Sequence, residues 1–169
     1  MPNTFELIAS STVGSGGAAS IDFTSIPSTF TDLCLKVSLR ASATTAYGYL
    51  YINFNNTGYS ATSRYIQADG SSAISDTNAS GYSGIINGNT ATSSTFSNVD
   101  IYIPNYAGSA NKSFSLDGTM ENNATLSYSN LMALIWSSTA AINQITIKPA
   151  GSQTFVQYTT AYLYGVSNA

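Results

Sequence analysis

The sequence contains no histidine, so the imidazole base that activates serine or cysteine nucleophiles is absent. A single cysteine, Cys34, can close neither a disulfide within the chain nor a zinc site of His and Cys ligands. The eight carboxylates are the remaining acid–base candidates. Three of them, Asp100, Asp117 and Glu121, fall within one stretch, SNVDIYIPNYAGSANKSFSLDGTMENN (97–123). Two carboxylates about 5–9.5 Å apart can hydrolyse a glycosidic bond. All three, however, stand at polar positions of alternating segments, where charge keeps a sheet face soluble. The expectation is that this chain is not an enzyme and uses no cofactor. Asp69-Gly70 and Asp76-Thr77-Asn78 offer oxygens to calcium, but the spaced ligand set of a calcium loop is missing and turn chemistry accounts for them. No metal site is expected.

Tyrosine is the more informative residue type. Tyr47, Tyr49 and Tyr51 share one face of an alternating segment, and Tyr158, Tyr162 and Tyr164 make a second row. Tyr106 lies in the loop Asn105 to Asn111, a candidate contact with a neighbour. The first reading of the rows is aromatic packing on a solvated sheet. The second is that a neighbouring subunit or a stacked sugar covers them, since the ring is apolar and the hydroxyl polar. Both stay open.

These side chains need elements to position them, and composition points to strands. Only 8% of the 169 residues are charged, against 43% hydrophobic. Ser, Thr, Asn, Gly and Tyr replace the Lys and Glu that helix surfaces normally carry. The net charge is −3, and Lys36, Arg40, Arg64, Lys112 and Lys148 are scattered, which argues against a nucleic-acid partner. No apolar run is long enough for a membrane span. The opening MPNTFELIAS has neither a basic start nor an apolar core, so a signal peptide is not expected and synthesis in a cytoplasm is.

Along the chain, Thr4 to Ser11 reads as a strand with Phe5, Leu7 and Ala9 on one face. The glycine-rich Thr12 to Gly17 would need a following helix to cradle phosphate; another strand-like piece, Ser20 to Phe23, follows, so a hairpin loop is expected. Ile26 and Phe30 are placed to plug one end of the core. Asp32 to Ala41 is the clearest strand. Leu33, Leu35, Val37 and Leu39 point toward a core, and Cys34, Lys36, Ser38 and Arg40 point the other way, to a face that can meet water, where Cys34 packs as a small, fairly apolar residue. Tyr47 to Phe54 and Ser63 to Ala68 are further strands. Ser71 to Ser94 reads as a long surface excursion with at most one short strand near Ile85-Ile86. In the hairpin 97–123, Val99, Ile101 and Ile103 alternate in one arm and Phe114, Leu116, Gly118 and Met120 in the other. Leu131 to Trp136 is nearly all apolar, which suggests burial on both faces. Gln144 to Lys148 and Phe155 to Val166 complete the set. Nine or ten short strands with frequent turns and no helix predict one all-β domain over 1–169. It should be an antiparallel β-sandwich of jelly-roll type.

Three blocks carry a family resemblance. MPNTFELIASSTVGSGGAASIDFTSIPSTFTDLCLKVSLR, IYIPNYAGSANKSFSLDGTMENN and YTTAYLYGV resemble small virion-associated proteins of tailed bacteriophages, many of them marine or cyanobacterial. None of the blocks is a catalytic motif, so no catalytic residue carries over. The resemblance implies a protein of the virion surface, made in the host cytoplasm. It would be a capsid decoration, knob or cement protein bound to the major capsid protein or another virion protein. The alternative is a tail-associated module recognising a host surface glycan. Self-association, for example as a trimer, fits either.

Overall fold

The computed structural model describes residues 4–58, 62–78, 82–121 and 126–167, and contains twelve strands and no helix among them. The strands are β1 (Phe5–Thr12), β2 (Ile21–Phe23), β3 (Asp32–Leu39), β4 (Tyr47–Phe54), β5 (Thr62–Ala68) and β6 (Ala73–Asn78). Then come β7 (Gly84–Asn87), β8 (Ser97–Ile103), β9 (Lys112–Glu121), β10 (Ser127–Trp136), β11 (Ile145–Pro149) and β12 (Thr160–Val166). Every pairing between these strands is antiparallel.

Eight of these strands form a jelly roll. β1, β12, β3 and β8 are neighbours in one sheet, and β2, β11, β4 and β7 make the other. The chain crosses between the sheets at nearly every connection of this frame, which gives the double Greek key of the jelly roll. The other four strands are two inserted hairpins. β5–β6 lies between β4 and β7 in sequence, and β9–β10 between β8 and β11. β9 pairs with β8 and β10 pairs with β5, so the insertions extend the first sheet to the order β1-β12-β3-β8-β9-β10-β5-β6. The result is a sandwich of eight strands against four.

The core follows from alternation. On β3, Leu33, Leu35, Val37 and Leu39 are buried, and across the gap so are Leu50, Ile52 and Phe54 of β4. Val99, Ile101 and Ile103 of β8 and Phe114 and Leu116 of β9 join the same cluster. Phe54 meets Phe114 and Trp136 edge-on, with ring centroids 5.1 and 5.5 Å apart. Each such buried side chain contributes roughly 1.5–3 kcal/mol. Ile26 is buried in this cluster and Phe30 packs against it. Phe30 lies where a side chain on Gly165 would be: a Cβ there would fall 2.3 Å from the ring. β12 therefore needs glycine at that position.

Several expectations are corrected. Among the described residues there are twelve strands, not nine or ten. The segment expected to be a long excursion supplies two of them, β6 and β7, while residues 79–81 within it lie outside the described residues. The glycine-rich loop does not close a hairpin: β1 pairs with β12, whereas β2 pairs with β11 in the other sheet. Residues 131–136 are not buried on both faces. Met132, Leu134 and Trp136 are buried, while Leu131, Ala133 and Ile135 face outward, because the smaller sheet covers only one side of β10. A bulge between Leu7 and Ala9 interrupts β1, and Phe5 and Leu7 are exposed.

Candidate functional site

Register aligns the outward side chains of the eight-stranded sheet in rows. One row runs Ser10, Tyr162, Lys36, Asp100, Asp117, Leu131, Ile66 and Ser75, one residue from each strand. Lys36 donates to Asp100 at 2.6 Å, and the bond to Asp100 raises the Lys36 pKa. Both side chains are about half exposed, so this pair contributes about 0–1 kcal/mol. Asp117 stands directly opposite Asp100. Glu121 lies at the far end of β9, outside this row. Among the described residues, no three acidic, His or Cys groups gather as metal ligands.

The next row holds Tyr164, Cys34 and Tyr102. Cys34 is expected to pack as a small, fairly apolar residue on the face of β3 that can meet water. It does point outward but is buried between its two aromatic neighbours, and that burial raises the thiol pKa. The Tyr102 hydroxyl donates to Asp32, and that bond, with some burial, pushes the phenol up to about 12. Tyr162 is exposed and Tyr164 is half-buried, its ring edge-on to Phe5 at 6.3 Å. The second tyrosine row thus lies partly in this face. Tyr158 does not share it: it precedes β12 in a turn and is 68% exposed.

Tyr47, Tyr49 and Tyr51 do form a row on β4, each half-buried. The first two enter a tyrosine cluster at the open side of the sandwich, where β10, β5 and β6 extend past the smaller sheet. Tyr49 meets Tyr82 at 4.4 Å, Tyr47 meets Tyr128 at 5.4 Å, and Tyr82 lies 6.3 Å from Tyr65. Burial raises the Tyr49, Tyr82 and Tyr128 hydroxyls, with Tyr47 reinforcing the shift at Tyr49 and Tyr65 that at Tyr82. These rings pack edge-on or tilted against one another, on the face of β4 away from Leu50 and Phe54, which removes Tyr47 and Tyr49 from any flat stacking platform. Ile85, opposite Tyr49 in β7, is buried on the same face.

Tyr106 is a correction. Its side chain is fully buried, and its hydroxyl donates to the Pro27 carbonyl. It anchors the loop after β8 to the core and cannot touch a neighbour. Lys112 closes the same loop from within, donating to the Gly108 and Ala110 carbonyls at 2.7 and 2.6 Å.

Arg40 departs furthest from the sequence reading. Strand parity sends it toward solvent, yet it is buried. One terminal nitrogen donates to the Thr92 and Thr95 carbonyls at 2.7 and 3.0 Å. The other donates to Asn89 and Ala91 at 3.2 and 3.0 Å. Arg40 therefore holds the β7–β8 connection by its main chain. The structure ends β3 at Leu39, one residue before Arg40, whereas the sequence carries the strand on to Ala41, so nothing in the alternation marks Arg40 as buried. Compared with protein-family models, curated proteins and solved structures, the chain finds no match in any of the three.

Proposed function

We propose that this chain is a structural protein of a bacteriophage particle, a decoration or cement protein that lies on the capsid surface as a homo-oligomer. The observation that carries the reading is the outer face of the eight-stranded sheet. Leu131 and Ile66 stand directly opposite each other there, each 56% exposed, with Ile135 on the same strand as Leu131. A broad face with adjoining exposed apolar side chains among polar ones suits burial against another protein. The three blocks resembling virion-associated proteins support the same reading. They fall on β1 to β3, β8–β9 and β12, which supply five adjacent strands of this sheet. The likeness thus follows a scaffold rather than a reactive centre.

The test is location and copy number on whole particles by cryo-EM and quantitative mass spectrometry. Hundreds of copies on the head fit the proposal, and absence from purified particles overturns it. Leu131→Asp should fold normally yet lose particle occupancy. A second reading, a tail-associated module for a host surface glycan, is favoured by the exposed Tyr158. A few to tens of copies at the tail would select it.

A further inference from the structure

A charged side chain withdrawn from water is normally matched by an opposite charge. Arg40 is not. No carboxylate of the described residues lies within ion-pair distance, and only neutral carbonyls and the Thr95 hydroxyl accept from its terminal nitrogens. None of these bonds uses Nε. A cleft of about 280 Å³ opens beside it, lined also by Asn89, Ser93, Ser94, Phe96 and Tyr158.

Two turns form the rim of that cleft. One is closed by the Thr95 N–H donating to the Thr92 carbonyl, with Ser94 at φ 63°. The other is closed by the Thr159 N–H donating to the Val156 carbonyl, with Tyr158 at φ 71°. In each turn the third residue is left-handed while the second is not, the pattern of a type II turn, where glycine or asparagine is favoured. A bulky aromatic residue in that conformation is a genuine outlier. Backbone strain of this kind gathers at ligand clamps. Here it holds an exposed aromatic ring at the mouth of a cleft whose wall carries an unneutralised positive charge.

We propose that this cleft binds one carboxylated sugar ring, a uronic acid residue of an acidic polysaccharide. The sugar carboxylate is drawn to Arg40, where Nε–H is free to donate. Ser93, Ser94 and Asn89 bond the ring hydroxyls, and the apolar face of the ring packs on Tyr158. A small cleft with an aromatic wall and a few convergent polar groups has the make-up of a small-ligand site. The inference goes beyond placement on a particle and is tested on the isolated protein.

The experiment is an NMR titration of the full chain with sodium D-glucuronate at low ionic strength, with D-glucose and inorganic phosphate as parallel arms. Glucuronate should shift the amides of Ser93, Ser94 and Tyr158 and the Arg40 Nε–H saturably, and glucose should not. Tyr158→Gly suits φ 71° and should keep the fold while weakening glucuronate at least tenfold. That variant is needed because Arg40 substitutions also loosen the loop. No shift at these positions overturns the proposal, as does an equal response to glucose. Phosphate binding as tightly as glucuronate overturns it as a sugar site, and unchanged affinity in Tyr158→Gly removes the aromatic wall on which it depends.

Discussion

Replacing Arg40 with Met keeps most of the side-chain volume but withdraws every hydrogen-bond donor. The Thr92 carbonyl keeps the Thr95 N–H and hydroxyl as donors. The carbonyls of Asn89, Ala91 and Thr95 receive no other bond from the described residues. An orphaned buried acceptor costs about 1–3 kcal/mol. The adjoining cleft lets water reach part of this loop, so the lower figure applies to each, and the variant should lose about 3 kcal/mol. In a domain of this size that lowers Tm by roughly 6–12 °C. Urea unfolding followed by tryptophan fluorescence measures it, with m expected to stay constant. Arg40→Lys should recover only part of the loss, because an ammonium cannot span four carbonyls as the planar guanidinium does. A loss below about 1 kcal/mol for Arg40→Met would refute the view that this residue ties the β7–β8 connection to the sandwich.

Other perturbations have equally definite outcomes. Ile101→Asp puts a carboxylate at a fully buried position on β8, and should cost more than about 4 kcal/mol and leave no cooperative unfolding transition; a folded, normally assembling variant would contradict the placement. Asp69 is held down to about 2 by the Ser72 and Ser71 N–H groups and the Ser71 hydroxyl, so its contribution to the β5–β6 turn is present above pH 4 and lost as pH falls through 2. NMR titration of its carboxyl carbon checks this, and Asp69→Asn should remove that part of the acid sensitivity. Tyr102 has its pKa raised to about 12 by its bond to Asp32, so what that bond contributes is present below the ordinary tyrosine pKa near 10 and lost as pH climbs through 12. Asp32→Asn should bring the Tyr102 ionisation, read at 295 nm, back toward 10.

How far the sequence could be read depends on which force shapes each segment. β3 and the β8–β9 hairpin were legible because one face of each is buried and the other solvated, so their apolar residues alternate strictly. β6, AISDTN, is an edge strand whose described side chains are all exposed; it pairs through its backbone and leaves no apolar alternation to read. β10 misled for the opposite reason. Leu131, Ala133 and Ile135 make its outer face as apolar as its inner one, so the run LMALIW imitates a strand buried on both sides. Tyr106 and Arg40 were misplaced because their surroundings come from distant segments, Pro27 for one and residues 89–95 for the other. The tyrosine rows were found by spacing, but only packing shows that Tyr47 and Tyr49 face other rings while Tyr158 stands exposed.

The position of β12 has a kinetic consequence. It is the last of the twelve strands to be made, yet it lies inside the larger sheet, between β1 and β3. Until residues 160–166 leave the ribosome, β1 has no partner and one edge of β3 stays open. The β5–β6 and β9–β10 hairpins can form early, because their arms are close in sequence, but closure of the jelly roll must wait and then spans nearly the whole chain. Such non-local pairing folds in milliseconds to seconds. During that interval the nascent protein shows unpaired strand edges beside apolar side chains, the state most prone to aggregate. Crowding of nascent chains during synthesis, more than the stability of the finished sandwich, is therefore what should limit its yield.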